Sequence, residues 1–131
     1  MEIREYEKRD WFHLMTISDD EWSGAILRLG QSILREYDGK VTKILLAFNG
    51  EDLVGFIYGF VLPNSVLIPE FMYVKPDQRK NGIAHHLLKA LEDSSECSAS
   101  MIFYNKSLHD FYAKQGYETG SGLETAMKEL S

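Results

Sequence analysis

Apolar residues alternate with polar ones, or recur every three to four positions, over most of the chain, and this spacing predicts its strands and helices. In the first 40 residues, alternation predicts a short strand over 2–6. Helical spacing follows over 10–17 and again over 20–37, and the second helix stops at Gly39. The chain therefore begins with one strand and two amphipathic helices.

The rest of the chain reads as strands interrupted by single helices. Two strands flank an Asn-Gly turn, which is the strongest short hairpin signal. We predict strands over 43–48, 53–62, 66–74 and 100–104, a turn at 49–52, helices over 83–91 and 106–114, and a last strand or strand pair from 117 onward. A hairpin meander with intervening helices favours an α+β fold with a sheet of mixed direction.

Length and composition indicate one soluble domain spanning 1–131. The chain has 131 residues, 44% of them apolar and 26% charged, as is typical of globular proteins. Its longest apolar run, 53–62, has ten residues, about half of what a membrane helix needs. The charged first residues lack the apolar stretch of a secretory signal, and a lone Cys97 fits a reducing compartment, so we expect a cytoplasmic protein. A net charge of −6 argues against binding to nucleic acid.

The most informative stretch is a strand that feeds a polar loop and then a helix, over 74–88. Small residues, Gly82 and Ala84, stand where the helix begins, and unpaired N–H groups at a helix start bind anions when the backbone is accessible. Residues 75–89 carry four bases and one acid, a net of +3, which leaves −9 for the remainder. The alternative is an ordinary surface helix with solvated lysines. The Gly-Ser-Gly at 120–122 does not continue as a dinucleotide-binding motif.

This stretch resembles the acetyl-coenzyme A signature of the GNAT superfamily of N-acetyltransferases, R/Q-x-x-G-x-G/A, with Arg79, Gly82 and Ala84 at its fixed positions. A second family pattern, N-x-x-A-x-x-(L/F)-Y-x-K-x-G-(F/Y), is matched in order by Asn105, Phe111, Tyr112, Lys114, Gly116 and Tyr117, with Leu108 in place of Ala. Residues 54–57 are also similar to the family's third strand. The loop departs from the usual pattern at Lys80, Asn81 and Ala84, which are variable or permitted positions, and at the His85-His86 pair.

The resemblance implies an acetyl-CoA dependent N-acetyltransferase (EC 2.3.1 class). Its fold would be a central mixed, mostly antiparallel sheet flanked by about four helices, with a bulged fourth strand splayed from the fifth. Loop N–H groups would hold the diphosphate, the pantetheine arm would extend along the fourth strand, and the N–H of Met72 would face the thioester carbonyl. The implied cofactor-binding residues are Met72, Tyr73, Val74, Arg79, Lys80, Asn81, Gly82, Ile83, Ala84, His85, Asn105 and Tyr112.

Two residues are candidates for proton transfer. By family position Tyr112 is the general acid that protonates the leaving thiolate, although its helical spacing with Leu108 and Phe111 also fits a core aromatic. Glu70 precedes Met72 by two residues on one strand, so the two share a face and Glu70 is placed to act as base. The alternatives are a half-exposed strand carboxylate, with a water molecule or a backbone carbonyl serving as the base.

The acceptor is the least defined part of the hypothesis. Residues 1–72 carry twelve acids and seven bases, a weak preference for a small cationic amine. The alternatives are a protein N-terminus or lysine as acceptor, or an acyl-CoA sensing module without catalysis. No metal is expected, since adjacent His85 and His86 point about 100° apart, and Cys97 lacks a neighbouring base that would activate it. Family members often dimerise, so the resemblance also implies a homodimer, with 123–130 as a candidate region.

Overall fold

The protein is described by a computed structural model that covers residues 1–15, 37–103, 106–119 and 125–130. Asn105 and, except for its last residue, the predicted helix over 20–37 lie outside these residues. The strands are β1 Glu2–Glu5, β2 Thr42–Asn49, β3 Asp52–Val61, β4 Val66–Val74, β5 Ala99–Phe103, β6 Glu118–Thr119 and β7 Thr125–Glu129. The helices are α1 Trp11–Met15, α2 Ile83–Ser95 and α3 His109–Lys114, and 3₁₀ turns occupy Lys8–Asp10, Pro76–Gln78 and Lys106–Leu108.

The strands form one seven-stranded sheet in the order β1-β2-β3-β4-β5-β7-β6. Neighbouring strands are antiparallel except for β4 and β5, which are parallel. The predicted α+β class and the mixed, mostly antiparallel sheet are therefore confirmed. None of the described helices has the length and apolar character that crossing a bilayer requires.

The turn between β2 and β3 lies where Asn-Gly predicts it. Asn49 pairs with Asp52, and Gly50 takes the first of the two loop positions with a φ of 64°. A left-handed first position matches the right-handed twist of the two strands, which is why glycine is favoured there. The hairpin pairs β3 with β2, and β3 pairs with β4 on its other side, so β3 lies inside the sheet.

Each face of the sheet carries its own apolar cluster. On one face α2 packs across β2, β3 and β4 through Leu87, Leu88 and Leu91, which are all but fully buried. Their spacing places them on one side of the helix, as the sequence predicts. The other face is rich in aromatic rings, including Phe56, Tyr58, Phe60, Phe71 and Tyr73. The sheet is thus an apolar layer with a helix-covered face and an aromatic face.

A buried ion pair fastens the start of the chain. Both oxygens of Asp10 accept hydrogen bonds from Arg4, at 2.7 and 2.8 Å, and the N–H of Glu7 donates to the same carboxylate. Burial alone would raise the pKa of Asp10, but these hydrogen bonds outweigh it and lower that pKa. The ionised form is therefore the one that stabilises the fold.

We expect Asp10→Asn to reduce the free energy of unfolding by about 1–2 kcal/mol at pH 7, because Arg4 loses its charged partner. A carboxyl with a lowered pKa stabilises above its ordinary value and loses that contribution as pH falls through the folded-state pKa. The difference in free energy of unfolding between wild type and Asp10→Asn should thus be largest above about pH 5 and should decrease below about pH 4. Urea unfolding at several pH values measures this difference. A difference that stays constant with pH would contradict the assignment.

Candidate active site

A bulge interrupts β4 in the middle of the sheet. Tyr58 of β3 pairs with Phe71, but the next residue, Gly59, pairs with Pro69, so Glu70 is an extra residue in β4. A Cβ at Gly59 would lie 2.7 Å from the carbonyl oxygen of Ile68 and 3.0 Å from Cα of Pro69. The bulged backbone therefore comes close to β3 only because residue 59 has no side chain.

Replacing Gly59 by Val should lower the free energy of unfolding by about 2–3 kcal/mol, since backbone atoms of β4 cannot move aside as a flexible side chain would. Thr42→Val is the control, because it introduces the same residue at a half-buried position of β2 and keeps the branched shape of the side chain. Chemical denaturation compares the two variants. Equal stability of Gly59→Val and wild type would show that the bulge does not need a glycine opposite it.

Just before the bulge, β4 separates from β5. Within the described residues the two strands pair only at Val66 with Ala99 and at Leu67 with Ser100. The N–H of Leu62 donates to the carbonyl of Val66, so Val61 and Leu67 are a non-hydrogen-bonded pair of the β3–β4 ladder. The N–H and C=O of Leu67 therefore point away from β3 and toward β5. By alternation Pro69 also turns its backbone nitrogen toward β5, where it has no N–H to donate. Pro69 therefore explains where the ladder ends, and the splaying implied by the resemblance is confirmed.

The backbone groups on this open edge can be assigned from the pairing. The N–H of Lys75 donates to the carbonyl of Val54 at 2.9 Å, so the pair of Gly55 and Val74 directs its backbone groups away from the shared ladder. Val74 and, two residues earlier, Met72 thus present N–H and C=O groups to the opening. Tyr73 instead faces β3 with its backbone, and its side chain is buried in the aromatic cluster.

A loop with two left-handed residues connects this edge to α2. Lys80 has a φ of 68° and Gly82 a φ of 78°. The first helical hydrogen bond runs from the N–H of His86 to the carbonyl of Gly82 at 3.1 Å, and none of the described side chains caps the helix. The N–H groups of Ile83, Ala84 and His85 therefore have no acceptor inside the helix. A Cβ at Gly82 would meet only Cδ2 of His86, 4.0 Å away, so among the described residues the space beside Gly82, at the start of the helix, is open.

The polar side chains of the loop have defined positions. Nε of Arg79 donates to the carbonyl of Val74 at 2.8 Å and its guanidinium lies over the ring of Tyr73, so Arg79 ties the loop to the end of β4. Lys80 and Asn81 are exposed, and Nδ2 of Asn81 donates to the carbonyl of Gln78 at 3.4 Å. The signature arginine is thus a structural residue of the loop.

The two histidines lie on the first turn of α2. Nδ1 of His85 contacts Oε1 of Gln115 at the end of α3, and the rings of His85 and His86 are 5.3 Å apart. In the part of the chain that the structure describes, no three His, Cys, Asp or Glu side chains form a group that could hold a metal ion. His85 therefore joins α2 to α3, the helix that carries Tyr112.

Tyr112 lies half-buried on α3. Its ring packs edge-on against Phe111 at 5.1 Å and against Tyr117 at 5.8 Å between centroids. Burial raises the pKa of its hydroxyl, so the phenol keeps its proton at neutral pH. The packing expected of a core aromatic and the protonation state required of an acid are both present in this side chain.

Glu70 is the extra residue of the bulge and its side chain is exposed, while Met72 is half-buried. The alternation that predicts a shared face for these two residues is interrupted at the bulge. Glu70 therefore stays a candidate because it lies at the start of the open edge, not because of strand alternation.

One group of site-flanking residues is missed by the sequence analysis. Glu92 of α2 is buried and binds Tyr117 and Lys128. Its sequence signal is its position, because Leu88, Leu91 and Glu92 fall on the same side of the helix. A carboxylate on an apolar helix face needs hydrogen-bond donors nearby, and Tyr117 and Lys128 provide them.

The geometry fits an acetyl-CoA molecule. Three N–H groups at an open helix start suit a diphosphate, because they carry the positive end of the helix dipole. The open edge offers the N–H groups of Met72 and Val74 and the carbonyl of Met72 in the spacing of a strand, and these suit an arm that contains amides. The two features adjoin, since Arg79 links the loop to Val74.

Comparison with known proteins agrees with this assignment. The family profile described as "Acetyltransferase (GNAT) domain" matches residues 40–119. Among curated proteins, none matches the sequence significantly. Similar crystal structures include PaiA N-acetyltransferase from Thermoplasma acidophilum in complex with coenzyme A, with 20% identity, 98% of each chain covered and a TM-score of 0.72.

Two more crystal structures share the fold. A GNAT-family acetyltransferase from Staphylococcus aureus Mu50 has 18% identity, 99% coverage of both chains and a TM-score of 0.72. The aminoglycoside 6′-acetyltransferase type Ii has 20% identity, covers 100% of this chain and 98% of its own, and has a TM-score of 0.72. With a family profile that matches more than half of its residues, this chain belongs to the GNAT family of acetyltransferases.

Proposed function

We propose that this protein transfers the acetyl group of acetyl-CoA to a primary amine, with a small cationic amine favoured, by direct attack in a ternary complex. The observation that carries the proposal is the continuity of the site: the open edge of β4 leads through Arg79 into a helix start whose N–H groups are not capped by any described side chain. Acetyl-CoA matches both features, because its diphosphate suits the helix start and its amide-containing arm suits the edge of β4.

Cofactor binding divides between the loop and the strand. The N–H groups of Ile83, Ala84 and His85 bind the diphosphate, and Gly82 leaves room for it. The left-handed Lys80, with Asn81, shapes the loop, and Arg79 holds it against Val74. The pantetheine arm lies along β4 next to Met72, Tyr73 and Val74, and Tyr112 contacts it from the opposite side. Cofactor binding by Asn105 stays a prediction from the family pattern.

The thioester carbonyl faces the N–H of Met72. That N–H points into the opening by the phase of the β3–β4 ladder, so it can donate to the oxygen that becomes negatively charged as the amine attacks. The amine forms a bond to the carbonyl carbon, and collapse of the tetrahedral intermediate breaks the carbon–sulfur bond. The electron pair of that bond leaves with the sulfur.

Tyr112 donates its proton to the departing thiolate. Burial raises the pKa of this phenol, which keeps the proton available at neutral pH. The amine loses its own proton to Glu70, either directly or through water, because Glu70 is exposed at the edge of the opening. Each catalytic cycle thus yields an N-acetylated amine and a free thiol, with Tyr112 restored by proton exchange with solvent.

The preference for a cationic amine rests on charge. Residues 1–72, which precede the cofactor loop, carry a net charge of −5. Aminoglycoside acetyltransferases, whose named substrates carry several amines, are among the structures with the same fold. One domain, a cytoplasmic location and a homodimer through 123–130 stay predictions.

A transfer assay tests the proposal. Purified protein with acetyl-CoA is screened against diamines, polyamines, an aminoglycoside, amino acids and peptides with a free N-terminus or lysine. We expect one thiol released per acetylated amine, with thiol measured by colour and product by mass. Binding of acetyl-CoA without transfer to any acceptor would replace the enzyme by a sensing module. Failure to bind acetyl-CoA would overturn the proposal entirely.

A further inference from the structure

The splayed sheet has two parts that the backbone ladder joins only briefly. The first part consists of β1 to β4 together with α2, which packs across β2, β3 and β4. The second part consists of β5, β7 and β6, with α3 between β5 and β6 in the chain. In the described residues, two residue pairs at Leu67 and Val66 connect their ladders. Other contacts must therefore help to fix the distance across the opening.

A buried polar network provides such a contact. One oxygen of Glu92, on α2, accepts a hydrogen bond from the hydroxyl of Tyr117 at 2.7 Å, and the other accepts one from Nζ of Lys128 at 3.0 Å. The hydroxyl of Ser100, on β5, lies 2.8 Å from that of Tyr117 and donates to it, since the Tyr117 proton is directed to the carboxylate. Glu92 belongs to the first part of the fold, whereas its two partners, Tyr117 and Lys128, belong to the second, as does Ser100.

The network is costly to break because it is buried. The side chain of Glu92 is 3% exposed and that of Lys128 is 24% exposed. Removing one partner of such a group leaves a charge or a polar atom unsatisfied, and this is what makes buried pairs costly to break. Burial, together with the neighbouring Glu92, raises the pKa of Tyr117, so its hydroxyl stays a donor.

Tyr117 also holds Tyr112 directly. The two rings meet edge-on at 5.8 Å, and the N–H of Tyr117 donates to the carbonyl of Tyr112 at 3.1 Å. A shift of Tyr117 would thus move both the backbone and the ring of Tyr112. We propose that Tyr117 is a positioning residue, through which the buried Glu92 network holds the Tyr112 hydroxyl at the thioester. This inference rests on the proposed role of Tyr112 as the acid.

The test is Tyr117→Phe, which keeps the ring and removes the hydroxyl. We expect kcat to fall about tenfold while the Kd for acetyl-CoA changes less than twofold. The reason is that the acid is displaced, whereas the N–H groups at the start of α2 that bind the diphosphate are not. Ser100→Ala, which leaves the Tyr117–Glu92 bond in place, should lower kcat less. Tyr6→Phe, which removes a buried hydroxyl in the cluster on the other sheet face, is the control and should leave kcat unchanged. Assays run well below the measured Tm of every variant.

A double-mutant cycle separates this inference from the proposed function. If Tyr117 acts through Tyr112, then adding Tyr117→Phe to Tyr112→Phe should cause no further loss of kcat. An equal tenfold loss in both backgrounds would overturn the positioning role and leave the acid in place. Wild-type kcat in Tyr112→Phe would overturn the acid, and the positioning role with it. A lower Tm of Tyr117→Phe with unchanged kcat would show that the network only stabilises the fold, and this would overturn the positioning role.

Discussion

Tyr112→Phe is expected to lower kcat by about 10²–10³-fold with little change in the Kd for acetyl-CoA, because an acid at the leaving group acts in the transition state and not in binding. The phenol is half-buried and burial raises its pKa, so wild-type kcat should fall on the alkaline side only above about pH 10. The variant should lack that alkaline limb. Initial rates across pH, with calorimetry for binding, measure both quantities.

The control for Tyr112→Phe is again Tyr6→Phe, which removes a tyrosine hydroxyl from the opposite sheet face. If both variants turn over as the wild type does, Tyr112 is not the acid and its side chain serves packing against Phe111 and Tyr117. If the Kd for acetyl-CoA rises in parallel with the loss of kcat, the hydroxyl binds the cofactor instead of protonating the thiolate.

Gly82→Asp is expected to weaken acetyl-CoA binding by about 10²-fold, because a carboxylate in front of the helix start repels the diphosphate. The same change should not reduce stability, since an acidic residue at this position interacts well with the helix dipole and Asp tolerates a left-handed φ. Binding and stability therefore respond differently. Calorimetric titration and thermal unfolding of the same preparation record the two effects.

Gly82→Asn is the matched control, because Asn has the shape of Asp, tolerates the φ of 78° and carries no charge. It should bind acetyl-CoA far more tightly than Gly82→Asp does, and the remaining gap to wild type measures lost space alone. Equal Kd values for Asp and Asn would mean that charge at this helix start is irrelevant, and the diphosphate would then bind elsewhere.

The sequence predicts the elements well where one pattern determines them. The hairpin at 49–52, the strand at 66–74 and the helix that begins at Ile83 are found where periodicity and the turn residues place them. The last predicted strand pair is confirmed, and the helix over 106–114 begins as a 3₁₀ turn before α3. Local signals suffice here because each element needs only its own spacing of apolar residues and its own end signals.

The site is only partly readable from the sequence, because its shape depends on pairing between distant strands. The bulge at Glu70 needs Gly59 from the neighbouring strand, and the end of the β4–β5 ladder follows from Pro69 only once the register is known. The Glu92–Tyr117 pair joins residues 25 positions apart in the chain. Such contacts are visible in the sequence only as unexplained residues, a carboxylate on an apolar helix face or a proline within a strand.

The most direct test of the central claim is a crystal structure of the protein with acetyl-CoA. We expect the diphosphate oxygens within hydrogen-bonding distance of the N–H groups of Ile83, Ala84 and His85, and the thioester carbonyl facing the N–H of Met72. The Tyr112 hydroxyl should lie next to the sulfur. A diphosphate bound away from the start of α2, or a thioester outside the opening between β4 and β5, would contradict the account.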